Sequence, residues 1–466
     1  MERISAQGIS FIVSVVLARL LSPQDYGTVA LITVFLAILQ LFVYSGLGNA
    51  LIQKKDADQV DFSTVFFFNM AMCLALYSLL FLAAPWIADY YRNRDMIPMI
   101  RVIGLILIVS GLKNVQQAYV SRNMLFKRFF WSTLGGTILS AFVGIFLAYR
   151  GAGAWALIGQ QLTNTLTDTF ILWITVKWRP VMAFSWSRFR RLFSYGWKLL
   201  VSALLNTIYN NLRNLIIGRR YSEQDLGYYN NGQKIPSLVI ANLNVTIGSV
   251  LFPALSKEQD QRDLMRLHVR RSIQISSYVV WPIMLGVTAC ADSLIALLLT
   301  EKWLPAVPYL QMACIVYGMM PIHTANLQAV NAMGRSDMFL KLEVIKKVIG
   351  VIVLVIAIPY GVEAIAFSAI ITGILSTFIN AWPNRKLLNY SYMDQMRDIL
   401  PSLLLSLGMG FAVLQVNRLG LSPAVTLCIQ VPLGIVLYLM GSVLCRVEGL
   451  RYILTSVKHL LKNKEA

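Results

Sequence analysis

Four polar residues share one face of the run "SYGWKLLVSALLNTIYNNLRNLIIG" (194–218): Asn206, Asn210, Arg213 and Asn214. The steps from 206 to 210, 210 to 213 and 210 to 214 are helical spacings, so these side chains line one stripe of a helix. A guanidinium at membrane depth costs about 2.5 kcal/mol or more and normally faces a polar cavity. The chemistry on offer is recognition of anionic oxygens by Arg213 and of hydroxyls by the amides. Interhelical hydrogen bonding is the competing use of such asparagines, and the sequence leaves it open.

Other polar residues in apolar surroundings extend this pattern. Lys113 stands with Asn114 and Gln117, and Lys234 sits about a turn inside another apolar run, where snorkelling to the interface is an equal alternative. Gln7, Ser10 and Ser14 form a stripe that repeats the register of Thr207, Asn210 and Asn214 at an offset of 200 residues. Two buried acids, Asp168 and Asp292, are candidates for ion pairing with a base or for carrying a coupling proton. The interior therefore leans cationic, opposite to the sign expected for an exporter of cationic drugs.

Enzymatic and metal chemistry find no matching pattern. The three histidines, His268, His323 and His459, never pair at i, i+4, so no metal site and no cofactor are expected. "GAGAWA" (151–156) fits a dinucleotide fingerprint in letters only. It joins two apolar runs rather than a strand and a helix, so it reads as a tight turn. The five cysteines are widely spaced and lie in apolar segments, as buried free thiols do.

The elements that position these residues follow from composition. The 466-residue chain is 57% hydrophobic and 14% charged, with mean hydropathy +0.63, too apolar for the surface of a soluble domain. A cleavable signal peptide is not expected, because the first apolar run leads straight into more of the same. Fourteen apolar runs are expected to form transmembrane helices: 4–21, 28–50, 63–88, 96–119, 130–149, 152–175, 192–217, 230–254, 273–299, 307–330, 342–359, 362–382, 399–416 and 422–444. Counting Lys and Arg on alternate sides gives 28 against 9, which places both termini in the cytoplasm. The net charge of +19 then belongs to loops facing anionic lipid rather than to a nucleic-acid surface, for which the chain has no soluble basic module.

Internal echoes suggest duplication. "RLLSPQDYG" (19–27) and "RRYSEQDLG" (219–227) share Arg, Ser, Gln, Asp and Gly in the same register. "GAGAWALI" (151–158) and "GVEAIAFS" (361–368) recur at an offset of 210, in the same order. Residues 1–180 and 190–390 read as two six-helix bundles, followed by two further transmembrane helices (399–444) and a basic cytoplasmic tail (445–466). Six crossings per half make the repeats parallel. In each word the Ser reads as a helix cap with the Asp at the capping-box position, so Ser22, Asp25, Ser222 and Asp225 read as helix punctuation.

On "LARLLSPQDYGTVAL", "SGLGNALIQ", "DLGYYNNGQKIPSL" and "LFPALSK", the whole chain resembles the polysaccharide flippases of the multidrug/oligosaccharidyl-lipid/polysaccharide exporter superfamily. It is most similar to the branch exporting colanic acid, O-antigen and related polysaccharides. The resemblance implies an all-α polytopic fold, with two bundles forming a V around a cavity that opens to each side in turn. It implies no enzymatic activity, location in the bacterial cytoplasmic (inner) membrane, and an undecaprenyl-diphosphate-linked oligosaccharide as cargo. A polysaccharide polymerase and a chain-length regulator are the partners it suggests. Cationic cavity residues are a family theme, which Arg213 and Lys113 match by location. A cation-coupled small-molecule exporter and a non-transporting scaffold of a glycan-assembly complex are the alternatives.

Overall fold

The structure is a computed structural model that describes residues 2–44 and 47–462; the side chains of residues 2–6, 49, 195, 198 and 456–462 lie outside the description, Lys198 and His459 among them. Its elements are α1 (Glu2–Leu20), α2 (Pro23–Tyr44), α3 (Leu47–Gln53), α4 (Gln59–Tyr91), α5 (Met96–Arg122), α6 (Phe126–Tyr149), α7 (Ala154–Thr175), α8 (Trp186–Arg220) and α9 (Glu223–Lys257). There follow α10 (Arg262–Ala289), α11 (Ala291–Leu299), α12 (Val307–Gly318), α13 (Met320–Ala332), α14 (Ser336–Ala357), α15 (Val362–Leu387), α16 (Tyr392–Gln415), α17 (Pro423–Leu444) and α18 (Glu448–Lys462). Short 3-10 turns fill three of the gaps, and no strand occurs among the described residues.

The all-helical, polytopic membrane fold expected from composition is what forms. Ten helical stretches among the described residues are long and apolar enough to cross a bilayer: α2, α4, α5, α6, α9, α10, α12 with α13, α15, α16 and α17. The other four expected runs fold as α1, α7, α8 and α14; polar side chains keep α7, α8 and α14 below that apolarity, while α1 is apolar over its described stretch, Gln7–Leu20, which is shorter than a full crossing. Trp86, Phe142 and Phe411 are 74%, 70% and 69% exposed, a degree of apolar exposure that suits lipid rather than water.

Helix starts are fixed locally. At α2 the Asp25 N–H donates to Ser22 Oγ (3.2 Å), and the Ser22 N–H donates back to Asp25 Oδ2 (2.9 Å). At α9 the Asp225 N–H donates to Ser222 Oγ (3.0 Å). The two repeated words thus satisfy free backbone donors at helix N-termini. "GAGAWA" is a turn between α6 and α7, with Gly151 and Gly153 at φ +74° and +55°, where glycine avoids the steric cost of a left-handed backbone.

The chain divides into two compact units, Met1–Gly227 and Tyr228–Ala466. In the first, α6 packs along α7, α4 along α5, and α5 on α7, with α1 against α6 and α2 against α5 and α8. Lipid supplies no hydrophobic drive between helices, so small residues that permit close approach matter. A Cβ on Gly136 would lie 3.0 Å from the Asn164 carbonyl oxygen, and one on Gly144 3.0 Å from Gln160 Cβ. Phe62, Phe66, Val115, Leu172, Trp178 and Phe189 bury one end of this unit.

In the second unit α10 is the centre, contacting α12, α13, α16 and α18. Arg270 grips Asp398 of α16 through Nε (2.9 and 3.0 Å) and Nη2 (2.7 Å). Gln274 and the Tyr390 hydroxyl donate to the same carboxylate at 3.0 and 2.7 Å.

Candidate functional site

Polar residues of the first unit stand in two places, around a cavity between α2, α5 and α7 and along α8, which adds no residue to that cavity's lining. Along α7, Gln160, Asn164 and Asp168 recur every four residues and so share a face. Gln160, Gln161, Asn164 and Thr165 wall a cavity of about 420 Å³, completed by Thr33, Leu36, Ala37 and Gln40 of α2 and Ile106 of α5. Four amides and two hydroxyls in one concave surface offer both donors and acceptors, the pattern that a hydroxylated ligand needs.

One turn beyond Asn164, the structure brings Lys113 and Asp168 together, with Lys113 Nζ donating to Asp168 Oδ2 at 3.0 Å. Their side chains are 13% and 12% exposed, so the charges neutralise each other in a dry setting. Asp168 Oδ1 is buried and accepts no hydrogen bond within the structure. Asn114, next in sequence to Lys113, donates instead to the Val43 carbonyl at 2.6 Å, which fixes α5 against α2.

On α8, Asn206 and Asn210 are exposed, while Arg213 and Asn214 are half-buried. Arg213 Nε and Nη2 are buried and hydrogen-bond to nothing among the described residues. A guanidinium whose donors are withdrawn from solvent and left unmatched is poised for an anionic partner. Gln7 is exposed on α1.

A family match now joins this geometry. The family described as Polysaccharide biosynthesis protein matches residues 16–308. The chain belongs to that family. Among relatives it is 24% identical over 408 residues to the teichuronic acid biosynthesis protein TuaB of Bacillus subtilis (strain 168), covering 86% of this chain and 84% of that one. It is 23% identical over 420 residues to the lipopolysaccharide biosynthesis protein WzxC of Escherichia coli (strain K12), covering 87% and 85%. Among solved structures, the lipid II flippase MurJ in an inward closed conformation superposes with a TM-score of 0.76 at 15% identity, covering 96% of this chain and 98% of that one. An inward-facing multidrug MATE transporter reaches 0.63 at 15% identity, over 82% and 94%. These structural likenesses carry the fold alone: an all-helical, polytopic membrane fold.

In the second unit of this polysaccharide biosynthesis family member, Lys234 is half-buried on α9, and Asp292 is exposed in the first turn of α11. Neither joins the cavity lining of the first unit. An apolar cavity of about 470 Å³ opens between α10, α11, α16 and α17, with Pro282, Ile283, Met409, Leu427, Gly434 and Leu439 in its wall.

Sequence reasoning singled out Asp168 on α7 but passed over Gln160, Gln161, Asn164 and Thr165. The signal was present in "GQQLTNTLTDT" (159–169), where amides follow the same four-residue step that exposed the α8 stripe. Thr33 and Gln40 of α2 gave a weaker signal, two polar residues seven apart on one face of an apolar run.

Proposed function

We propose that this protein flips an undecaprenyl-diphosphate-linked oligosaccharide across the bacterial cytoplasmic membrane by alternating access, without making or breaking a covalent bond. On this reading α1, α7, α8 and α14 cross the bilayer with the ten apolar stretches, giving fourteen crossings in two parallel repeats plus two helices, with both termini cytoplasmic. A polymerase and a chain-length regulator of the same pathway are its expected partners. The observation that carries the reading is the pair of buried, unmatched donors of Arg213, Nε and Nη2, on an amide stripe. Arg213 supplies charge-assisted donors for the diphosphate, and the amide-lined cavity supplies hydroxyl partners for the sugars. Against a cation-coupled small-molecule exporter stands the pairing of Asp168 with Lys113, which commits that acid to a neutral pair.

The test is transfer of a fluorescent lipid-linked oligosaccharide between leaflets of proteoliposomes. Losing one charge-assisted contact of about 1.5–3 kcal/mol lowers cargo affinity by roughly ten- to a hundredfold. Arg213→Ala is expected to lose transport accordingly while still inserting and folding. Undiminished transport by that variant overturns the assignment, and accumulation of lipid-linked repeat units in a deletion strain separates flippase from scaffold.

A further inference from the structure

His323, on α13, is titratable and takes no part in the site above. Its ring is part-buried and sits between two side chains of α15: Thr377 Oγ1 lies 3.3 Å from Nε2, and Asn380 Nδ2 lies 3.1 Å from Nδ1. The Thr377 hydroxyl proton is already donated to the Gly373 carbonyl at 2.9 Å. With that proton assigned to Gly373, the nearer of its acceptors, Nε2 carries the ring hydrogen and donates to Thr377, and Nδ1 accepts the Asn380 N–H. In this assignment of hydrogens the imidazole is neutral. Asn380 Oδ1 is meanwhile buried and accepts nothing within the structure.

That orphan oxygen makes the site bistable. A proton added to Nδ1 would face the Asn380 N–H, donor against donor. Rotating the Asn380 amide by half a turn exchanges Nδ2 for Oδ1, and the new Nδ1–H then donates to Oδ1 as a charge-assisted bond. The proton comes from water, and no other bond changes. The charged neighbour that acts on the ring is Lys346 of α14, itself hydrogen-bonded to Glu343. From α15 the ring meets the uncharged Thr377 and Asn380.

We propose that His323 is a proton-binding site through which export is coupled to the proton gradient, its charge state held by the orientation of the Asn380 amide. The proposal rests on the transport reading above and adds the ion to it. Charging the ring changes how α13 is held to α15, so the two protonation states favour different packings of these helices.

The experiment measures flipping in proteoliposomes containing the full chain, with and without a one-unit pH gradient. One proton per cycle limits the gradient effect to about tenfold per unit. Wild type is expected to respond several-fold towards that limit. His323→Gln should differ by less than twofold between the two conditions, and Asn380→Asp, which offers only acceptors, should move the midpoint to higher pH. A His323→Gln protein that keeps the wild-type response overturns the proposal, as does a wild type that flips indifferently to the gradient; both leave the flippase reading standing. A wild type that flips nothing removes that reading first. Should His323→Gln fail to fold, ¹⁵N-histidine spectra of the wild type in nanodiscs decide. Protonation of both His323 nitrogens over the pH range in which the rate changes supports coupling, and a single neutral tautomer throughout refutes it.

Discussion

Gly27 and Gly227 each occupy the space at the start of the other's helix. A Cβ on Gly27 would fall 1.6 Å from the Glu223 carbonyl oxygen, and one on Gly227 would fall 1.9 Å from the Pro23 carbonyl oxygen. The last letter of each repeated word is thus the seat of its counterpart. Because both obstacles are backbone, no rotamer change relieves them, and overpacking costs about 1–3 kcal/mol or more. Gly27→Ala and Gly227→Ala are each expected to lower the midpoint of thermal unfolding by several degrees in detergent. Gly8→Ala, whose Cβ meets nothing within 4 Å, should hold near the wild-type midpoint. Equal midpoints for all three would contradict the close approach.

The Lys113–Asp168 pair predicts an asymmetry between single and double replacements. Removing one partner strands the other charge in a dry setting, at a cost of about 3–5 kcal/mol, whereas replacing both with apolar residues is often neutral. Lys113→Met should express poorly, and Lys113→Met with Asp168→Leu should recover. Additive losses in the double variant, measured by unfolding midpoint, would show that the two residues do not depend on each other.

The amide-lined cavity predicts a loss confined to cargo recognition. Gln160→Leu and Gln161→Leu remove hydrogen-bonding groups that are half-buried, each worth about 0.5–1.5 kcal/mol. The expected result is roughly a two- to tenfold rise in the cargo concentration giving half-maximal flipping, with stability retained. A fall in unfolding midpoint without any change in that concentration would make these amides packing residues.

Asp398 holds Arg270, Gln274 and Tyr390 at once. Asp398→Asn keeps shape but removes the charge that Arg270 answers. Arg270 is 43% exposed, so solvent screens part of the loss, and a destabilisation of about 1–3 kcal/mol is expected. Asp398→Leu, which abandons three donors, should cost more. Proteolysis of the segment carrying α16 should rise in the same order.

Asp58, which caps α4 outside the apolar segments, predicts a pH signature. A hydrogen bond from Arg188 and the backbone N–H of Asp61 hold its carboxyl down at about 2, below the ordinary value of 3.8. A folded-state value below the unfolded one means the contribution is fully present above about pH 4 and fades as pH falls towards 2. Arg188→Gln should therefore unfold at lower temperature than wild type at pH 6, with the gap narrowing below pH 4. A gap that is constant with pH would place the role of Arg188 elsewhere.

These residues also mark how far letters lead to structure. The caps at Ser22 and Ser222 were legible because capping is settled within four residues. The use of Gly27 and Gly227 was not, since it depends on which helix starts are brought together, and nothing local encodes that. Asp168 was legible as a buried acid beside the open question of a partner. Its pairing with Lys113 spans 55 residues and needed the packing of α5 on α7. The polar face of α7 was written in the sequence but masked by the apolar residues around it, which make the segment read first as a membrane run. Arg213 stood out because a lone guanidinium in an apolar helix is expensive wherever it lands; that its donors are unmatched is a property of the surrounding helices.

The short glycine turn between α6 and α7 has a consequence for biogenesis. On the fourteen-crossing reading, α7 must leave the translocation channel carrying Gln160, Gln161, Asn164 and Asp168, a load that an isolated segment partitions into lipid only reluctantly. Its neighbour α6 offers a groove at Gly136 and Gly144 and a hydroxyl, Ser140 Oγ, to which Asn164 donates at 3.3 Å. The two segments are built to enter the bilayer as a hairpin, the first chaperoning the second. Lengthening the turn at 151–153 would then show itself in the nascent chain, as α7 stranded outside the membrane, before any cargo is met.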